Sequence, residues 1–276
     1  MNAQPTYEQP TPERLARVRQ AMAAEGLDAL LVPSADPHLS EYLPKHWQGR
    51  RWLSGFHGSV GTLVVMPGFA GLWVDSRYWQ QAEHELAGTG IELMKLSPGQ
   101  PGVLDWLGEH APANGRVGVD GAVLALASAR QLRERLGHRG VRLVTDKDVL
   151  GQVWEGRAAL PGHPVYQHLP PYATVSRLDK LAALREVMQV KGAHWHFLAT
   201  LDDIAWLFNL RGTDVSYNPV FLAFALISQQ QALLFVGSGK LDENLRADLA
   251  ADGVEVRDYD QAGAALAEIP GGRRLF

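Results

Sequence analysis

Trp52-Leu53-Ser54-Gly55-Phe56-His57-Gly58-Ser59 returns later in the chain as Trp206-Leu207-Phe208-Asn209-Leu210-Arg211-Gly212-Thr213, so both stretches read W-L-x-x-[FL]-x-G-[ST]. Each copy follows a helical pattern and a short apolar strand, and each precedes a pair of strands. Agreement in flanking order, more than the octapeptide itself, points to a duplicated domain.

Around the first copy, Thr11 can cap a helix whose first turn suits Pro12. Leu15, Val18 and Met22 then follow helical spacing until Gly26. Residues 28–33, DALLVP, read as a short buried strand of the kind that follows a helix in a parallel sheet. A short helix is expected over 46–53, then strands over 62–66 and 71–74 joined by a Pro67-Gly68 turn. Helices over 76–86, 103–110 and 128–136 alternate with strands over 92–96, 117–120 and 142–144, which means an α/β domain.

Residues 156–173, GRAALPGHPVYQHLPPYA, carry four prolines and no period. They read as a linker between a first domain over 1–155 and a second over 174–276. The second series opens with Ser176 capping LDKLAALREVMQV. Strands over 195–200, 221–227, 232–236 and 254–257 and helices over 202–210, 241–249 and 261–267 follow, with Trp206 and Leu207 expected in the core. A strand begins at Arg274, where the first copy still has a helix and a strand to come, so the second domain is expected to be incomplete at its C-terminus.

Bulk properties exclude several classes. A length of 276 residues suits two medium domains. A net charge of −4 and a pI near 6.2 give no electrostatic reason to expect nucleic acid or an anionic membrane as partner. Cysteine is absent, which removes disulfides, thiolate metal sites and cysteine nucleophiles. The N-terminal MNAQPTYEQPTPERLAR has no apolar core of the signal-peptide type. No apolar run approaches the roughly 20 residues a bilayer requires. The expectation is a cytoplasmic α/β protein.

Several residues are of types that carry chemistry. His194 and His196 share a strand face at zinc-compatible spacing but lack a third ligand in the sequence. Asp36, His38 and Glu41 form a D-x-H-x-x-E cluster read as a solvated or substrate-facing loop. Asp203 and Asp214 have the spacing of an aspartate pair in dinuclear sites, yet IAWLFNL between them is helical and Asp203 suits a first helical turn. Gly58-Ser59-Val60-Gly61 is not a nucleophile elbow, and neither a Walker A sequence nor G-x-G-x-x-G occurs. Asp75-Ser76-Arg77-Tyr78 lies where a strand passes into a helix, a common binding position in α/β domains; alternatively Asp75 caps the helix and pairs with Arg77.

Three blocks reach further: LVPSADPHLSEYLPKHWQGRRWLSGFHGSVGTLVV, GLWVDSRYWQQAE and LDDIAWLFNLRGTDVSYNPVFLAFALI. They resemble the amino-terminal domains of three-domain Xaa-Pro aminopeptidases, as do Gly115 to Asp120 and Val153-Trp154. The resemblance implies two tandem creatinase N-terminal-like domains with mixed sheets flanked by helices, and a separate pita-bread catalytic domain that is absent here. In that family the pita-bread domain holds two divalent metals, usually manganese, through two aspartates, a histidine and two glutamates. A metal-bridging water attacks the bond between an N-terminal residue and a following proline. The resemblance therefore implies no catalytic residue, metal ligand or cofactor in this segment. It implies front domains that shape access of peptides with proline in second position and assist homodimer assembly, with His38, Arg77 and Tyr78 turned toward substrate. Two alternatives stand beside it: a non-enzymatic peptide- or protein-binding module, and the front part of a creatinase or prolidase relative.

Overall fold

The computed structural model describes residues 11–275, and the chain divides into two compact units. The first comprises residues up to 37 and 45–159; the second comprises 38–44 and 160 onward. The first ten residues, including most of the stretch read as lacking a leader, lie outside the described residues.

The first unit runs α1 (Thr11–Ala24), β1 (Ala29–Pro33), α2 (Gly49–Ser54), β2 (Thr62–Met66), β3 (Phe69–Val74), α3 (Trp79–Glu85), β4 (Glu92–Lys95), α4 (Val103–His110), β5 (Arg116–Gly118), α5 (Leu126–Gly137), β6 (Arg142–Val144) and α6 (Val149–Val153). Its six-stranded sheet has the order β4-β3-β2-β1-β5-β6. The β1–β2 and β2–β3 pairs are antiparallel, and β3–β4, β1–β5 and β5–β6 are parallel. Period-two alternation splits the sheet between two cores. Leu30, Val32, Leu63, Val65 and Leu72 meet Leu15, Val18 and Met22 of α1 on one face. Ala29, Leu31, Val64, Trp73 and Val117 meet Leu107 of α4 and Leu132 and Leu136 of α5 on the other. Both faces are covered, so β1 is apolar throughout (ALLVP). Each fully buried leucine or valine contributes roughly 1.5–3 kcal/mol.

The second unit runs β7 (Tyr166–Gln167), α7 (Arg177–Val190), β8 (Trp195–Leu198), α8 (Leu201–Leu207), β9 (Leu210–Arg211), β10 (Ala223–Ser228), β11 (Ala232–Val236), α9 (Glu243–Ala251), β12 (Val254–Asp258) and α10 (Ala262–Ala267). Its main sheet, β12-β11-β10-β8, repeats the first in order and direction: β8–β10 and β10–β11 are antiparallel, and β11–β12 is parallel. Leu275 bridges Trp195 in parallel, as β5 lies beside β1. The strand expected from Arg274 thus meets β8 on the matching side. Residues 156–173 are not uniform: Val165 is buried in the second core, and β7 pairs with β9.

The duplicated octapeptides explain their own shared letters. Leu53 and Leu207 are buried, as are Phe56 and Leu210. Gly55 and Asn209 both end a helix in the left-handed region, at φ 72° and 53°. Gly58 and Gly212 allow close approach. A Cβ at 58 would collide with the Phe56 ring and lie 2.8 Å from Tyr78, and one at 212 would lie 2.7 Å from the Phe221 Cβ.

One core assignment is corrected. Trp206 is 56% exposed, whereas Leu207 is buried as expected. The core-facing positions of α8 are Leu201, Ile204, Ala205 and Leu207 with Phe208 beyond them, and the Trp206 ring instead covers the Lys180 ammonium at 4.3 Å. The helix expected over 202–210 ends at Leu207, because Asn209 turns the chain and Leu210 enters β9.

Candidate functional site

At the carboxyl end of β3 the chain leaves the sheet through Asp75. Its side chain caps the turn that follows, accepting from the Arg77 backbone N–H at 3.0 Å. The same carboxylate grips the Arg77 guanidinium with two bonds of 2.9 Å, from Nε and Nη2. Hydrogen bonding by Arg77 holds the Asp75 carboxyl below its ordinary pKa, and the pairing raises that of Arg77. The Arg77 side chain is nevertheless 68% exposed, so the pair adds little stability and acts mainly to orient the guanidinium. Beside it, Tyr78 sets its ring edge-on against Phe56 at 5.8 Å, and its hydroxyl shares a 2.7 Å hydrogen bond with Ser59. The Arg77 guanidinium lies 5.4 Å from the Tyr78 ring centre.

A buried arginine fixes the floor of this corner. Arg50 donates to Ser34 Oγ at 2.9 Å, to the Phe56 carbonyl at 2.6 Å and to the Gly58 carbonyl at 2.5 Å. The loop beneath Tyr78 is therefore held by charge-assisted bonds, among the stronger kinds available to a backbone carbonyl. This arrangement can bind a carboxylate or a peptide carbonyl.

His38, the third residue of the expected set, belongs to the second unit and is 3% exposed. Nδ1 lies 2.8 Å from the Ala199 carbonyl and Nε2 lies 2.7 Å from the Tyr259 hydroxyl, with the Phe224 ring 4.5 Å away. Arg77 and Tyr78 thus stand together, and His38 has internal partners of its own. The D-x-H-x-x-E cluster is not a solvated loop as a whole: Asp36 is also buried, and Glu41 is exposed.

The other candidate residues have defined places. His194 Nδ1 accepts from the Arg274 backbone N–H at 3.1 Å. Asp203 lies exposed in the first turn of α8. Asp214 is buried and accepts from the Leu222 N–H at 2.7 Å and from the ammonium of Lys240, itself buried. Among the described residues, no three His, Asp or Glu side chains gather in a metal-binding group. No helix among them is long and apolar enough to cross a membrane.

A cavity of about 40 Å³ in the first unit went unnoticed in the sequence. It lies at the carboxyl ends of β1 and β5, the usual ligand position in α/β sheets. Val32, Pro33 and Leu150 give it apolar walls; Trp47, Asp120 and Arg157 give it polar ones. Its lining is drawn from segments far apart in the chain, so no local spacing marks it. The only signal was Asp120 at the end of a strand.

Comparison with known proteins fits this architecture. Models of the creatinase/prolidase N-terminal domain match residues 14–158 and again 156–275. The chain belongs to the creatinase/prolidase N-terminal domain family, and carries that domain twice. It is 38% identical over 91% of its length to a probable Xaa-Pro aminopeptidase P of Talaromyces marneffei, and 39% identical over 91% to one of Aspergillus niger. It spans 38% and 41% of those two proteins. A crystal structure of X-prolyl aminopeptidase from Caenorhabditis elegans, described as a cytosolic enzyme with a di-nuclear active site, superimposes with a TM-score of 0.89 at 29% identity. That alignment covers 94% of this chain and 44% of the other.

Proposed function

We propose that this chain is the amino-terminal, non-catalytic part of a metal-dependent Xaa-Pro aminopeptidase. The observation that carries the reading is whole-chain similarity: both units, in order, align with one continuous stretch of enzymes bearing that name. The described residues do not offer a group suited to two divalent metals. We assign the metals, manganese in our reading, and the hydrolytic chemistry to the more than half of the relatives' length outside the match. In the whole protein, cytosolic and homodimeric in this proposal, the two units limit access to peptides with proline in second position. Arg77, aimed by Asp75 and flanked by Tyr78, binds a peptide carbonyl or carboxylate. His38, in the second unit, is our third substrate-facing choice, its ring set by the Ala199 carbonyl and the Tyr259 hydroxyl.

Two measurements test this. The 276-residue chain, mixed with manganese and Ala-Pro-Pro, is expected to release no alanine while circular dichroism shows it folded. A chimera in which it replaces the matched stretch of the Caenorhabditis elegans enzyme is expected to cleave the peptide. In that chimera Arg77→Ala raises KM several-fold with kcat little changed. Metal-dependent release by the chain alone, or a folded but inactive chimera, overturns the proposal.

A further inference from the structure

Both ends of α3 are tied to one loop. Just before its first turn, the Tyr78 hydroxyl shares a 2.7 Å hydrogen bond with Ser59. At its last residue, Glu85 Oε2 accepts the His57 backbone N–H at 2.8 Å. Between these ties, Arg50 holds the Phe56 and Gly58 carbonyls on either side of His57. The second Glu85 oxygen, Oε1, accepts from Gln81 Nε2 at 3.1 Å and stands 3.3 Å from His57 Nδ1. That Nδ1 is buried and has no hydrogen-bond partner among the described residues, so it sits at ion-pair distance from a carboxylate without being aligned to it. The charged groups around the ring are Glu85 from α3 and, beyond the flanking carbonyls, Arg50 from α2; His84 of α3 is exposed.

Histidine is the side chain that ordinarily changes charge between about pH 5 and 8. A neutral imidazole carrying its proton on Nε2 turns a lone pair on Nδ1 toward the Glu85 carboxylate, and the two repel. A charged imidazole turns an N–H toward Oε1 instead, and a hydrogen bond of that kind is about twice as strong as a neutral one. Glu85 then grips His57 through backbone and ring together. Gly58, the next residue, already lies against the Phe56 and Tyr78 rings, so a drawn-in His57 also settles Ser59 and the Tyr78 hydroxyl bonded to it. The Arg77 guanidinium rests beside that same Tyr78 ring. We propose that His57 and Glu85 are a positioning pair for the corner formed by Arg77 and Tyr78: the charged imidazole holds the corner in place, the neutral one loosens it, and ligand binding there strengthens on the acid side of neutrality. The proposal rests on the reading that Arg77 and Tyr78 face substrate, and adds to it two residues that act through their neighbours.

NMR of the ¹⁵N-labelled chain reads the pair without any need for activity. As pH falls from 8 to 5.5, the Tyr78 amide and the Arg77 Nε–H signal are expected to move along the same curve as the His57 ring. Hydrogen exchange at both, corrected for its intrinsic pH dependence, should slow several-fold. His57→Gln should flatten this response, and so should Glu85→Gln, which keeps an acceptor for the His57 N–H. His84→Gln should leave it intact. In the chimera with the Caenorhabditis elegans enzyme, His57→Gln is expected to raise KM several-fold at pH 6 and hardly at all at pH 8, with kcat little changed at either. Arg77 and Tyr78 signals that stay fixed while the His57 ring titrates overturn the proposal. So does a pH response that survives either substitution in a folded chain, or a KM ratio that does not vary with pH. An inactive chimera overturns the proposed function instead, and the NMR titration then decides the pair's role by itself.

Discussion

Trp52 and Trp206 occupy the same position in two copies of one motif, yet the first is 4% exposed and the second 56%. Trp52 stacks on Trp154 at 5.2 Å and packs in the core with α1 residues. The Trp206 ring lies over the ammonium of Lys180. Neighbouring positions diverge similarly. Arg50, which grips loop carbonyls, corresponds to Ile204, and exposed Val60 corresponds to Asp214, buried against Lys240. The duplication preserved backbone requirements, namely a left-handed turn and a close glycine contact. Side chains were left to meet whatever packs on each copy.

The largest test of this contrast is a pair of truncations. Trp52→Ala should destabilise the first unit by about 3–5 kcal/mol. Trp206→Ala should remove no more than about 1 kcal/mol, the scale of an exposed cation–π contact. Urea unfolding followed by circular dichroism checks both, and similar losses would show that exposure misjudges the second tryptophan.

If the glycines answer the same geometric demand, Gly58→Ala and Gly212→Ala should lose comparable amounts, about 1–3 kcal/mol each. A neutral result at either position would mean that its neighbour yields easily and that the shared letter has another cause.

The smallest effect concerns charge. Burial lowers the Lys240 pKa from the ordinary 10.5, against the opposing influence of Asp214. Between the lowered value and 10.5 the unfolded chain binds the proton more readily, so stability should rise with pH across that window. Lys240→Met should flatten this alkaline rise, by the equivalent of at most one proton. An unchanged slope would place its origin elsewhere in the chain.

Much of this contrast was readable in advance, and the exceptions have physical causes. The helix–strand order and the duplication follow from period and turn residues, which act locally. Arg77 beside Asp75 was visible for the same reason, since two residues at a strand end meet whatever surrounds them. Trp206 was misplaced because composition places a tryptophan inside, whereas its environment depends on which element covers α8. His38 sits in a stretch without period, and its partners Ala199 and Tyr259 are far along the chain. Asp120 and Trp47 line a cavity that exists only after β1, β5 and α6 assemble.

Gly55 and Asn209 solve one dihedral problem by different routes, and the difference is felt most before folding. Glycine enters the left-handed region freely but roams widely in the unfolded chain, so fixing it removes more disorder. Asn209 begins from a narrower range. Once placed, it accepts from Lys180 at 2.6 Å and donates to the Val175 carbonyl at 2.9 Å. The first copy's turn is only permitted by its residue, and the second's is also instructed by it. The second turn therefore narrows the search for its own conformation and ties the end of α8 to residues that precede it by some thirty positions.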